Sequence, residues 1–158
     1  MADPKKEFDP NRKSFYRLPE FGCVYSTNVF VFRASEASGY AFLPEPTPLS
    51  FLAVAAYPNP QLTPNKHELI PEVAEMAKKK LRNMFAVALI HGHDSLVLSA
   101  WGCGAFRNPP RHVAKLFKEV LSETDFLNRF KHISFAILDD HNARGEGNYR
   151  PFAELFNT

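Results

Sequence analysis

The sequence is poor in cysteine and contains no long hydrophobic run. Its two cysteines, Cys23 and Cys103, form no Cys-x-x-Cys pair, and one candidate disulfide is weak evidence for secretion. No stretch approaches the roughly 18 consecutive apolar residues of a membrane-spanning helix. No apolar run follows residues 1–6, so no signal peptide is predicted. We therefore expect an intracellular protein, cytoplasmic or nuclear.

The sequence also has almost no excess of one sign of charge. Nineteen Lys and Arg oppose 17 Asp and Glu, for a net charge of +2, which is too mild to predict DNA binding. The only basic run, Lys78-Lys79-Lys80, is interpreted as a solvated helix face. The length of 158 residues predicts one domain, over residues 21–158 after a polar, loosely structured arm at 1–20. The 15 Phe residues predict an aromatic core or an aromatic-lined cleft.

Proline divides the first third of the chain. Val24 and Val29–Phe32 are β-branched and aromatic, which indicates a strand. Three prolines at alternate positions exclude both a helix and a central strand from residues 34–50, so this segment is interpreted as an extended connector. The apolar run Ser50–Tyr57 predicts a strand covered on both faces, as in a parallel sheet.

Helical and strand patterns alternate along the rest of the chain. Apolar residues at three- and four-residue spacing predict an amphipathic helix over Pro71–Ile90. Asn108 is a suitable N-cap, with Pro109 at the first helical position, for a second helix ending near Leu121. The remaining predicted elements are strands at Ser95–Trp101 and His132–Leu138, a short helix near 126–130 and a terminal helix at 148–156. This alternation predicts an α/β fold with parallel strands and right-handed crossovers.

A Gly-x-Gly loop, Gly102-Cys103-Gly104, leaves a predicted strand and enters a predicted helix. Ligands of open α/β sheets bind beyond the carboxyl ends of the strands. Glycine lets backbone N–H groups approach an anion, and the helix start adds partial positive charge. The pattern fits a phosphate or pyrophosphate site, and equally a simple tight turn. It is neither a nucleotide P-loop nor a dinucleotide fingerprint, and we predict no cofactor and no metal.

The residues around this loop resemble a known family. Leu96–Pro110 is similar to the diphosphate loop of microbial-type poly(ADP-ribose) glycohydrolases, with Ser99 in place of a glycine common there. The resemblance covers roughly residues 21–156. Further matching segments are Val24–Ser26, Val29–Arg33, Ala55–Asn59, His91–Ser95, Phe135–Ile137 and Asn148 with Phe152.

This resemblance implies a three-layer α/β/α macrodomain-like fold with a mostly parallel sheet. It implies that ADP-ribose or poly(ADP-ribose) is the ligand, with Phe106 packing against a ribose. The backbone N–H groups that would hold the diphosphate are those of Gly102, Cys103, Gly104, Ala105 and Phe106. Residues that could contact adenine or ribose are Tyr57, Asn148 and Phe152.

The family's catalytic segment, a glycine run followed by Gln-Glu-Glu, has no counterpart in this sequence. Gln61 is the only Gln, and no two Glu and no two Gly are adjacent. We therefore expect the C-terminal portion of the family fold, truncated on its N-terminal side, and assign no catalytic residue. The chain is expected to bind without hydrolysing alone. One alternative is a fragment of an active glycohydrolase. Another is an interaction module that kept the fold and lost the ligand, and a third is an enzyme completed by a partner chain that supplies the missing segment. In the case of an interaction module, a homodimer or a partner protein would cover an open sheet edge.

Several residues have a simple interpretation beside a functional one. His91, His93 and Asp94 are interpreted as a solvated helix end rather than a metal site. Cys103 is interpreted as a small residue filling a tight loop rather than a catalytic thiol. Trp101 fits a core position or a cleft floor, and Tyr57 could equally stack on adenine or cap the core.

Overall fold

The computed structural model describes residues 18–156, so the predicted arm lies outside the described residues except for 18–20. The chain divides into two compact units, Met1–Val54 and Ala55–Thr158. The boundary between them falls inside the predicted domain 21–158. No helix in the described part is long and apolar enough to cross a membrane.

The first unit is a two-stranded antiparallel ribbon. Strand β1 (Val24–Arg33) pairs with β2 (Phe42–Ala53), from Val24 opposite Ala53 to Arg33 opposite Phe42. The predicted connector is extended only in its second half, which is part of β2 and carries three prolines. Its first half contains a 3-10 turn at Glu36–Ser38. A strand of a two-stranded ribbon has one unpaired edge, where a missing N–H removes no ladder bond.

The prediction for Ser50–Tyr57 was wrong in its pairing. Ser50–Ala53 completes β2, which is antiparallel to β1, and Phe51 is exposed. An apolar run alone does not distinguish a strand covered on both faces from one in an open ribbon, because periodicity carries no information about the neighbouring strand.

The second unit contains a β-α-β arrangement. Strands β3 (Ser95–Leu98) and β4 (His132–Phe135) pair in parallel, with Ser95 opposite His132, and helix α2 (Pro110–Leu121) connects them. Helices α1 (Pro71–Ile90) and α3 (Tyr149–Phe156) complete the unit. The mixed α/β class is thus confirmed, but the mostly parallel sheet is not. Among the described residues, one two-stranded sheet is antiparallel and the other parallel.

An aromatic core holds this second unit together, as the Phe content predicted. Phe85 on α1 and Phe117 on α2 are fully buried and pack with ring centroids 6.2 Å apart. Phe152 on α3 packs against Phe117 and against Phe135 on β4. Burying such rings supplies the main stabilising free energy of a domain.

Three local predictions were wrong. Lys80 is 5% exposed, donates to the Ala55 carbonyl at 3.0 Å and lies over the Tyr57 ring at 4.3 Å, so it does not belong to a solvated face. Helix α2 begins at Pro110 without a side-chain cap, and Asn108 serves a different purpose. The short helix predicted near 126–130 is a series of turns, with Asn128 at φ +57°.

Candidate functional site

The loop Gly102–Phe106 connects β3 to α2 and is held open by a buried amide. Asn108 is 3% exposed, and its Nδ2 donates to the Tyr57 carbonyl at 2.8 Å and to the Gly102 carbonyl at 2.9 Å. Its own N–H donates to the Gly102 carbonyl at 3.0 Å. One side chain therefore joins both ends of the loop to the segment that follows Ala55.

Glycine is required at one of the two positions of the Gly-x-Gly motif. Gly102 has φ +74°, and a Cβ there would lie 2.5 Å from the Ala56 Cβ and 2.7 Å from the Asn108 Nδ2. Gly104 is different, because its nearest neighbour would be the Asn142 Cβ at 3.5 Å. The first glycine thus permits a close approach within the protein, whereas a Cβ at the second would make only an ordinary van der Waals contact.

The N–H groups of the loop fall into two classes. The Cys103 N–H donates to the Ala100 carbonyl at 3.0 Å, so it is already engaged. The N–H groups of Gly102, Gly104, Ala105 and Phe106 enter none of the hydrogen bonds formed among residues 18–156, and the last three of these are consecutive. Three consecutive unpaired donors beside a helix start have the character of an anion-binding nest. Phe106 is partly exposed.

Cys103 lies in this loop with its side chain buried. Its Sγ is 3.6 Å from the Trp101 carbonyl, and burial raises the pKa of the thiol to about 12. A thiol that stays protonated at neutral pH is a poor nucleophile, so the geometry favours the loop-filling interpretation.

A cavity of about 750 Å³ opens beside the loop, within the second unit. Three segments line it: residues 62–68, residues 103–115 at the start of α2, and residues 142–148 before α3. Cys103, Gly104 and Asn148 from the predicted site lie on its wall, whereas Tyr57 and Phe152 do not. Phe152 is buried in the aromatic core, and Tyr57 is half-buried beneath Lys80.

The cavity wall is rich in groups that carry charge or donate hydrogen bonds. The Arg111 guanidinium binds the Glu146 and Glu154 carboxylates at 2.7 and 2.9 Å. This pairing holds the pKa of Glu146 below its usual range. His112 accepts the Leu69 N–H at its Nδ1, at 2.8 Å, and burial lowers the pKa of this imidazole. No group of three or more His, Cys, Asp and Glu in the described part could hold a metal ion.

Solved structures of bacterial poly(ADP-ribose) glycohydrolases are similar to this chain. The Deinococcus radiodurans enzyme in complex with ADP-ribose is 32% identical over 85% of this chain, with a TM-score of 0.69. The Thermomonospora curvata enzyme is 33% identical over 86%, with a TM-score of 0.70. This chain belongs to the poly(ADP-ribose) glycohydrolase family. It spans about half the length of those relatives, 52% and 47% respectively. No protein-family model and no curated protein matched the sequence.

Sequence reasoning identified the loop of this glycohydrolase-family chain but missed what shapes it. Asn108 was assigned to helix capping because Asn before Pro is a common helix start, although its partners lie up to 51 residues away in the sequence. The cationic residues around the cavity come from three separate segments. Within each segment they are too dispersed to stand out from ordinary surface charge.

Proposed function

We propose that the chain is a macrodomain-like domain, with the three-layer α/β/α arrangement of that fold, that binds ADP-ribose or poly(ADP-ribose). The loop Gly102–Phe106 would hold the diphosphate. The observation that carries this proposal is the row of three unpaired N–H groups at Gly104, Ala105 and Phe106. The proposal is also supported by a relative that is 32% identical to this chain and whose structure was solved in complex with ADP-ribose.

The loop is preorganised for a diphosphate before any ligand arrives. Asn108 fixes the loop from within, so little conformational entropy would be lost on binding. The N–H dipoles and the start of α2 both favour negative charge at this position. Cys103 fills the loop, and Gly102 shapes it and keeps a free N–H group. The next three residues supply consecutive donors, and the partly exposed Phe106 ring offers an apolar surface to a ribose.

Calorimetric titration with ADP-ribose tests this assignment, with a matched pair of variants at Gly104. Gly104→Ala adds only a methyl group, which would meet the Asn142 Cβ at van der Waals distance, so affinity should change by less than about fivefold. Gly104→Glu places a carboxylate against the diphosphate and should reduce affinity by about 100-fold or more. Adenosine, which lacks the diphosphate, serves as the control ligand.

Two results would contradict the proposal. The wild-type chain would show neither heat nor thermal stabilisation at millimolar ADP-ribose, or Gly104→Glu would bind as well as Gly104→Ala. Circular dichroism of both variants establishes that any loss is not a loss of folding.

We further propose that this chain does not hydrolyse poly(ADP-ribose) alone. Glycosidic cleavage needs a carboxylic acid that is protonated at working pH. Glu146 on the cavity wall is paired with Arg111 and has a lowered pKa, so it is held in the wrong state for that role. Incubation with poly(ADP-ribose) should release no ADP-ribose by chromatography. Cleavage that persists after rigorous purification would establish an acid in this chain.

A second candidate function is an interaction module, and the first unit carries an observation in its favour. Phe30, Phe32 and Phe42 on the β1–β2 ribbon are all at least half exposed, and apolar surface of this kind marks interaction sites. In this reading a second copy or a partner protein covers the ribbon. Sedimentation velocity would then show self-association or complex formation that Phe30→Ser with Phe42→Ser abolishes. A monomer that still binds ADP-ribose would favour the first candidate.

A further inference from the structure

The cavity beside the loop concentrates positive charge. Five cationic and two acidic side chains line it, in a chain whose net charge is only +2. The cationic residues are Lys66, Arg107, Arg111, Lys115 and Arg144. The acidic residues are Glu68 and Glu146. Charge of one sign on the wall of a concave site raises the local concentration of ligands of opposite sign.

Internal ion pairs neutralise only part of this charge. Arg111 is engaged by Glu146 and Glu154, and the Lys115 ammonium lies 4.0 Å from Glu68. Within residues 18–156, no acidic side chain pairs with Lys66, Arg107 or Arg144. These three cations, one from each lining segment, remain able to contact a ligand.

The start of α2 contributes donors to the same cavity. The helix has 12 residues, no side-chain cap and no acidic residue in its first turn. Because Pro109 and Pro110 carry no N–H, the first N–H groups are those of Arg111 and His112. Neither forms a hydrogen bond among the described residues. A helix start without a cap or an acidic neighbour keeps its partial positive charge available.

Asn148 supplies a separate indication of a ligand. It is 5% exposed and lies on the cavity wall, and its side-chain amide has no partner within the described residues. Because no fully enclosed side-chain nitrogen or oxygen in the described part lacks a partner, this amide keeps some access to solvent, and the residue lines the cavity. An anion in the cavity would accept the N–H bonds of this amide in place of water.

We propose that this cavity is a second phosphate-binding site, which receives a diphosphate group beside the one held by the loop Gly102–Phe106. The inference rests on the proposed function, because in poly(ADP-ribose) every unit carries a diphosphate. Its ligands are the Asn148 amide, the first N–H groups of α2, and the cations Lys66, Arg107 and Arg144. The volume of about 750 Å³ is within the range of small-molecule sites.

Nuclear magnetic resonance with sodium pyrophosphate tests the site directly in the full chain. In ¹⁵N-labelled protein, the side-chain amide of Asn148 and the backbone amides of Arg111 and His112 should shift saturably. Replacing both free arginines, Arg107→Gln with Arg144→Gln, should weaken these shifts about tenfold or more. Arg129→Gln is the matched control, since it removes an exposed arginine that is not on the cavity wall and should change nothing.

The loop amides in the same spectra separate this inference from the proposed function. Shifts at Gly104–Phe106 alone would overturn the second site and leave the proposed function standing. Shifts at the cavity alone would support the second site and overturn the loop assignment. No saturable shift anywhere would overturn both. Cavity shifts that survive the double substitution would refute the role of the two arginines.

A comparison of ADP-ribose with a two-unit oligomer identifies the source of the diphosphate. If the site serves the polymer, the oligomer should bind about tenfold more tightly than the monomer. The double arginine variant should lose that difference and keep its affinity for the monomer. Equal affinities of the two ligands for the wild-type chain would instead assign the cavity to free diphosphates.

Discussion

The two compact units place the same type of residue in opposite environments. In Ala55–Thr158, Phe85, Phe117 and Phe152 are fully or almost fully buried. In the β1–β2 ribbon, Phe30 and Phe42 are 55% and 70% exposed. Hydrophobic stabilisation scales with the apolar area removed from water, and a two-stranded ribbon is marginal by itself. We therefore infer that the second unit, which also contains the candidate site, supplies most of the stability of the described residues.

The largest expected effect comes from truncating an aromatic side chain in each unit. Phe85 is fully buried and packs against three rings, those of Phe117, Phe126 and Phe130. Phe85→Ala should lower the free energy of unfolding by about 3–5 kcal/mol, because it removes contacts and leaves a cavity. Phe30→Ala should cost less than about 1 kcal/mol. Urea denaturation followed by circular dichroism measures both.

Equal losses of unfolding free energy for Phe85→Ala and Phe30→Ala would contradict the difference in burial between the two units. A large loss for Phe30→Ala would mean that the ribbon is covered in solution, by a second copy or another protein. Repeating that measurement over a range of protein concentrations distinguishes the two cases, because a dimer loses stability on dilution.

A pair of glycines sharpens the comparison at the level of the backbone. Gly39 in the ribbon and Gly102 in the loop both have left-handed backbones, with φ +62° and +74°. A Cβ at Gly39 would meet nothing within 4 Å, whereas one at Gly102 would lie 2.5 Å from Ala56. Gly39→Ala should cost about 1 kcal/mol, from conformation alone. Gly102→Ala should cost about 2–4 kcal/mol, because steric overlap adds to the same conformational term.

The difference in stability between Gly39→Ala and Gly102→Ala is the quantity to measure, and thermal unfolding of both variants in one buffer gives it. If Gly102→Ala were no worse than Gly39→Ala, the segment around Ala56 would be able to move away from the loop. In that event Asn108 would not be holding the loop rigidly, and the loop would lack the preorganisation that the proposed binding of ADP-ribose assumes.

The helices of the second unit were predictable because their signals are local. The spacing of Ala77, Leu81, Phe85 and Ala88 predicts α1, and all four are buried. The pairing of β2 was not predictable, because a run such as Ser50–Ala53 does not say which strand lies beside it. The predictions for Lys80 and Asn108 were wrong for the same reason. Each side chain donates a hydrogen bond to a carbonyl that is distant in the sequence, 25 and 51 residues away respectively.

In the candidate site too, features with a local sequence signal were predictable and features that depend on distant segments were not. The glycines and the helix start are contiguous in sequence, so the loop was predicted, and its role as a diphosphate site remains a prediction. Which N–H groups are already engaged depends on the folded turn, and Cys103 donates to Ala100 within it. The cavity is made from three segments, and Asn148 comes to lie on its wall, with its side-chain amide unpartnered within the described residues, only where they meet.

The smallest expected effect concerns pH, and it again separates the units, since residues 18–54 contain no histidine. His112 accepts the Leu69 N–H at Nδ1, which requires the neutral imidazole, and burial lowers its pKa below the ordinary value of 6.5. The unfolded chain therefore takes up this proton first as the pH falls. The stabilisation is complete above about pH 6.5 and is lost progressively below it.

His112→Ala should cost about 1 kcal/mol at pH 8, the value of one hydrogen bond, and should reduce the fall in stability on acidification. His112→Asn keeps an acceptor that does not titrate, so it should retain the stability and lose the same part of the pH dependence. Urea unfolding between pH 5 and 8 measures both, and unchanged pH dependence in the two variants would show that His112 is not the titrating group.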